Sequence, residues 1–160
     1  MERLSELTLL HEHMDHLFLQ HQCAILRLDW ARAFTLLQSF KSELEQHIAE
    51  EEDLLLPTYE RNVRQCPGGT AELFRAEHRK IKCFVNEYVR REEAFRFKKS
   101  GNPVDAIALL DAQTQFKHLL AHHDQRERSF LYPALDQKIS VGERLDLIHR
   151  IEERRSRPDA

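Results

Sequence analysis

Two stretches of this sequence align with each other without a gap. His47-Ile-Ala-Glu-Glu51-Glu-Asp-Leu-Leu-Leu-Pro57 runs in register with His123-Asp-Gln-Arg-Glu127-Arg-Ser-Phe-Leu-Tyr-Pro133. Each is His-x3-Glu with a proline ten residues after the histidine, and the match extends upstream to Phe40 with Phe116 and Leu44 with Leu120. A second pair precedes these, His11-x2-Met14-x2-Leu17-Phe18 beside His78-x2-Ile81-x2-Phe84-Val85. Each half of the chain thus reads as a helix with one histidine followed by a helix with His-x3-Glu.

Residues i and i+4 lie one above the other on a helix face. The Phe and Leu seven and three residues before each motif histidine put that face on the core stripe. A buried carboxylate is costly unless it is paired or bound to a metal, and the basic residues sit mostly off these stripes. A pair of divalent ions satisfies the set, because imidazole suits iron, zinc, copper and nickel and carboxylates can bridge two ions. The candidate ligands are His11, His47, Glu51, His78, His123 and Glu127. Six protein ligands leave open positions, which favours two irons over a closed tetrahedral zinc site, with zinc as a substitute. No Glu stands three residues before a histidine, so the Glu-x-x-His pattern of ferritin-like proteins is not used.

Helical periodicity covers nearly the whole chain. A first helix spans about Leu4 to Leu28, with Leu7, Leu10, Met14, Leu17, Phe18 and Ile25 inward. Asp29 caps a second from Trp30 through Phe34, Leu37 and Phe40 towards Arg61, with a kink expected at Pro57. Thr70 caps a third after the Gln65–Gly69 break. Asn102 and Pro103 open a fourth after the break at Ser100-Gly101, carrying Ile107, Leu110, Thr114, Phe116, Leu120, His123 and Glu127. Ser140 with Glu143 signals a fifth to about Glu153, before a loose tail. Four long helices with short loops imply an all-α, up-down-up-down antiparallel four-helix bundle over 1–137, with a short extra C-terminal helix and tail over 138–160.

The 160 residues suit one domain, and scarce glycine (4 residues) favours helix over sheet. A net charge of −3 gives no cause to expect nucleic acid. No apolar run reaches the ~18 residues of a membrane span, and the N-terminus turns polar too early for a secretory leader. Cys23, Cys66 and Cys83 lack metal or disulfide spacing and read as reduced thiols of a cytoplasmic protein, Cys23 and Cys83 as buried small residues.

These motifs resemble the hemerythrin-like (HHE cation-binding) family. Its pattern is a His on the first helix, H-[FI]-x-x-E-E-x-x-L-[FY]-P on the second, E-H-x-x-I on the third and H-x-x-x-E ending in [FY]-P on the fourth. Here the matches are His11, HIAEEEDLLLP at 47–57, EHRKI at 77–81 and HDQRERSFLYP at 123–133, within roughly residues 4–137. The resemblance implies two oxo- or hydroxo-bridged iron ions and a small ligand such as oxygen, nitric oxide or peroxide. Two departures stand out. Lys82 occupies the position where true hemerythrins place a second third-helix histidine, which speaks against a reversible oxygen carrier, and Arg128 replaces the second Glu of the repeated motif.

Asp15 and Lys82, each four residues after a candidate ligand, are expected to pair with each other or touch an open metal position. His13, His16 and His21 turn away from the His11 face and read as solvated, with His16 as the fallback ligand of the first helix, and the acidic run Glu50, Glu52 and Asp53 reads as solvated too; His118 and His122 read as surface or supporting groups. Asp124 is a candidate extra ligand, and Leu145, Ile148 and Ile151 offer a stripe for a homodimer or docking partner. The functions in competition are a di-iron protein that binds or senses a diatomic ligand, a di-iron oxidoreductase, and an interaction module that metals merely staple.

Overall fold

The computed structural model describes residues 1–98 and 101–156; Ser100 of the expected break and 157–160 of the expected tail lie outside them. The described residues are all-α, with no strand. A 3-10 turn, Leu4–Leu7, leads into α1 (Thr8–Leu26), followed by α2 (Trp30–Glu50), α3 (Leu56–Asn62), α4 (Ala71–Glu93), α5 (Pro103–Ala112), α6 (Thr114–Arg126), α7 (Tyr132–Lys138) and α8 (Val141–Ser156). α2 lies against α1 and α4, α4 against α6, and α5 against α1. The helix starts follow from their caps. The side chains of Asp29, Thr70 and Asn102 accept from the backbone N–H groups of Arg32, Leu73 and Val104, each satisfying a donor that the first turn leaves free. No helix among the described residues is long and apolar enough to cross a membrane.

The repeated motifs widen ahead of their prolines, at Pro57 in place of the expected kink and at Pro133 likewise. Glu51–Leu55 and Glu127–Leu131 each form one π-helical turn, closed by Leu56 N–H to the Glu51 carbonyl and Tyr132 N–H to the Glu127 carbonyl. Pro57 and Pro133 cannot donate, and their rings would strike a carbonyl four residues back in a regular helix. One extra residue in the turn relieves that clash and lets the helix run on into α3 and α7. Each widened turn begins at the glutamate of its motif, so the prolines shape the backbone that carries the candidate ligands.

The fourth predicted helix is broken. Gln113 separates α5 from α6, and it is Ala106 and Leu109 that are buried, while Ile107 is 58% exposed. Gln113 itself is buried between His21 and Glu92. His21 is therefore not solvated: its Nδ1–H donates to the Ala33 carbonyl at 2.9 Å, and its Nε2 accepts from Gln113 at 2.9 Å. All three cysteines are exposed, so Cys23 and Cys83 do not act as core residues.

Three apolar clusters stack along the chain's helices. The first gathers Leu7, Leu54, Tyr59, Phe74, Leu131 and Ile151, the second Met14, Phe18, Phe40, Leu44, Ile81 and Phe116, and the third Ile25, Trp30 and Leu109. His11 on α1 falls between Leu7 of the preceding turn and Met14, and His78 on α4 between Phe74 and Ile81. The polar layer thus sits between two apolar ones.

α8 closes the first cluster with Leu147, Ile148 and Ile151. Two of the three residues expected as a free stripe are used internally, and Leu145 alone stays exposed. Arg155 anchors the helix end, donating to Glu50 Oε2 at 2.7 and 3.0 Å and to Glu43 at 3.3 Å. Glu50 is 1% exposed, which removes it from the expected acidic surface. Arg155→Ala leaves that carboxylate with Gln46 as its partner and no ion pair among the described residues, and hydrogen bonds to charged groups are worth about 1.5–3 kcal/mol. Urea denaturation of Arg155→Ala should show a loss of about that size; unchanged stability contradicts this anchoring role.

Candidate metal centre

The helices bring all six predicted ligands to one level. Two overlapping groups result: His11, His47, Glu51 and Glu127, and Glu51, His78, His123 and Glu127, with the potential ligand atoms of each group within 4.8 Å of one another. All six residues are buried, and the two glutamates are 0% exposed. The i,i+4 spacing puts His47 Nε2 3.6 Å from Glu51 Oε1 and His123 Nε2 2.7 Å from Glu127 Oε1. Helix packing supplies the rest: His11 Nε2 lies 3.3 Å from Glu127 Oε2, His78 Nε2 lies 3.2 Å from Glu51 Oε2, and the Nε2 atoms of His11 and His47 are 2.8 Å apart.

Each glutamate turns one oxygen towards each histidine pair. Glu51 faces His47 with Oε1 and His78 with Oε2; Glu127 faces His11 with Oε2 and His123 with Oε1. That is the disposition two bridging carboxylates need. The donor set also has atoms that protein groups leave unused. Glu51 Oε2, His78 Nε2 and Glu127 Oε1 are buried without a hydrogen bond. Buried polar atoms are normally satisfied, and three orphans converging on one point fit a cation as the missing partner. Imidazole nitrogen and carboxylate oxygen together suit iron, zinc or manganese.

The histidine rings are fixed from behind. His123 Nδ1 donates to Glu77 Oε2 at 3.0 Å, and Arg126 holds the other Glu77 oxygen at 3.0 Å. His78 Nδ1 donates to Glu52 Oε1 at 3.0 Å. His11 Nδ1 pairs with Asp124, which Arg128 grips at 2.8 and 2.9 Å. Such carboxylates select the tautomer that presents Nε2 inward and make it more basic. His47 is the exception, since its Nδ1 is buried without a partner. Asp124 is thus a support for His11 and stands outside both metal-binding groups. Arg128 gains a reason as well. Where Glu52 in the first repeat supports His78 itself, Arg128 in the second holds the residue that supports His11.

Lys82 departs from expectation. It is over a third exposed and its Nζ lies 3.6 Å from Glu52, so its partner is the support of His78 and not Asp15. Asp15, His13, His16, His118 and His122 are exposed.

One further residue enters the layer. Tyr132 is fully buried and donates its phenol to Glu51 Oε1 at 2.6 Å, with Glu127 Oε2 at 3.4 Å and His11 Nε2 at 3.2 Å. It stands where the first repeat has Leu56, and that polar-for-apolar difference, like Asp124 for Ile48, was its sequence signal.

Charges in the layer are strongly coupled. Burial opposes protonation of His123 and His78, but the Glu127 and Glu51 carboxylates outweigh it and lift them to about 10 and about 9. Burial prevails at His47, which falls to about 4 despite Glu51. Burial also opposes ionisation of Glu127, yet His123, His78 and His11 hold it well below its ordinary value. Tyr132 is pushed far up, first by burial and then by both glutamates.

No family model, curated protein or solved structure compared with the chain matches it. The buried His and Glu groups are compatible with metal binding on their own geometry. Removing a carboxylate that supports a ligand typically costs 10–100-fold in metal affinity. Glu77→Ala should show a loss in that range in a chelator competition, with helical content unchanged by circular dichroism; wild-type affinity contradicts the supporting role.

Proposed function

We propose that this chain is a non-haem di-iron protein of hemerythrin-like character, an up-down-up-down four-helix bundle that binds or senses oxygen, nitric oxide or peroxide. The observation that carries the reading is the double bridge: two fully buried glutamates, each offering one oxygen to each of two histidine pairs. In this reading His11 and His47 hold one ion, His78 and His123 the other, and Glu51 and Glu127 span both. A pair of irons there would supply Lewis acidity and reversible one-electron chemistry.

The protein's own residues prepare the place. Glu77, Glu52 and Asp124 orient three of the four imidazoles. The first cluster closes one side of the layer to water, which strengthens the interactions there. Tyr132 offers a hydroxyl proton at the layer itself, beside His11 and both carboxylates. The four histidines differ in access. His11, His47 and His123 line a cavity of about 370 Å³ that opens to the surface, whereas His78 does not. A small ligand would therefore arrive at the face of the layer that His11, His47 and His123 share.

Lys82 in place of an additional histidine leaves the set at six ligands, which favours sensing or reaction over reversible carriage. Freshly purified protein should contain two irons per chain and develop a visible band that responds to oxygen or nitric oxide, and Glu51→Ala should lose both irons together because its carboxylate is shared. A chain that purifies without metal and takes up no iron ends this reading.

A further inference from the structure

The cavity above the histidine layer is oversized for a diatomic ligand. It has a volume of about 370 Å³. At roughly 30 Å³ per water-sized unit of liquid, that is room for about a dozen heavy atoms, where a diatomic ligand needs two. Clefts of roughly 300–1,000 Å³ with apolar walls and few polar groups are the usual form of organic-ligand sites.

Its shape is set by α1. The lining runs along that helix from His11 to Gln22, and at 1.5 Å per residue this is a run of about 16 Å. Phe18, Phe40, Leu44, Ile48 and Leu120 form apolar walls. Phe18 and Phe40 belong to the second core cluster, with ring centroids 4.9 Å apart. The cavity is thus long, narrow and greasy, with polar groups at its two ends.

Those ends differ in charge. At the inner end Asp124 and Glu127 lie with His11, His47 and His123, and the exposed Asp15 stands at the rim. At the outer end Lys117 supplies the one Lys or Arg side chain on the lining among the described residues. Its Nζ reaches across the mouth to the neutral Gln22 Oε1 at 3.5 Å, not to a carboxylate. A cation held by a neutral amide can still take an anion. An anionic head at the inner end would meet three carboxylates, Asp15, Asp124 and Glu127.

We propose that this cavity binds an elongated apolar monoanion of about a dozen heavy atoms, the class of a medium-chain carboxylate, with its head at Lys117 and Gln22 and its apolar end directed at the histidine layer. The site goes beyond the di-iron reading: a carboxylate that ligated an ion of the layer would bind Lys117→Glu as well as wild type, and that outcome overturns the proposal. A molecule seated there would close the route by which a small ligand reaches His11 and His47, coupling an apolar acid to the chemistry of the layer.

The probe is decanoate, with 1-decanol and acetate as controls, titrated calorimetrically into the metal-loaded full chain. Decanoate should bind with one-to-one stoichiometry and acetate should not. Two variants at exposed positions leave the core untouched. Ala121→Trp, which fills the cavity from its rim, should weaken both decanoate and decanol at least tenfold. Lys117→Glu should weaken decanoate about tenfold and leave decanol within twofold. No saturable decanoate binding, or equal binding by both variants and wild type, overturns the proposal. Loss of decanol alongside decanoate in Lys117→Glu overturns the head-group assignment. Metal content measured on the same samples separates this outcome from the di-iron reading, since a chain holding two irons that ignores decanoate retains the first and loses only the second.

Discussion

Two ionisable carboxylates, Glu51 and Glu127, sit at zero exposure in the middle of a small helical protein. Burying one such group costs several kcal/mol unless opposite charge meets it, and here two are buried side by side. Every other feature of the layer answers that cost. Four imidazoles converge on the carboxylates, a phenol donates to one of them, and the glutamate oxygen atoms that remain unbonded point where a cation would satisfy them. The first cluster denies water as an alternative partner on its side, and the cavity on the other side has apolar walls.

The backbone is adapted to the same task. A proline six residues after each glutamate forces a widened turn that starts at that glutamate. The extra residue in that turn rotates the helix beyond it, so Tyr132 faces the layer, where a regular helix would turn it aside. The same turns deliver Leu54, Leu55 and Leu131 to the cluster that α8 covers. The residues beyond the repeated motifs thus belong to the packing of the layer, with Arg155 on α8 pairing with Glu50, the neighbour of a candidate ligand.

The six ligand candidates were legible in the sequence because repetition is a strong signal. A lone His-x3-Glu is common on helix surfaces, and two in register on apolar stripes are not. The features that stayed hidden share one cause. Partners such as Glu77 with His123, Glu52 with His78 and Asp124 with His11 sit next to ligands in sequence but act across the bundle on another helix. Periodicity assigns such residues to the flank of a helix and says nothing of the groups a neighbouring helix presents there. His21 and Glu50 differ from expectation for the same reason: their partners Gln113 and Arg155 are 92 and 105 residues away. The break at Gln113 was masked because apolar Ile107 and Leu110 continue the stripe in the wrong phase, and the buried amide that sets the true phase is polar. Lys82 follows the repeat's symmetry on paper, but a long flexible ammonium gains more by staying in water beside Glu52.

The central claim is geometric: two ions, each held by its own histidine pair and shared between two glutamates. Anomalous diffraction at the iron edge from crystals of the iron-loaded protein tests it most directly. The account predicts two peaks between the carboxylates of Glu51 and Glu127, one beside His11 and His47 and the other beside His78 and His123. A single peak, or density confined to surface histidines such as His13 and His16, contradicts it.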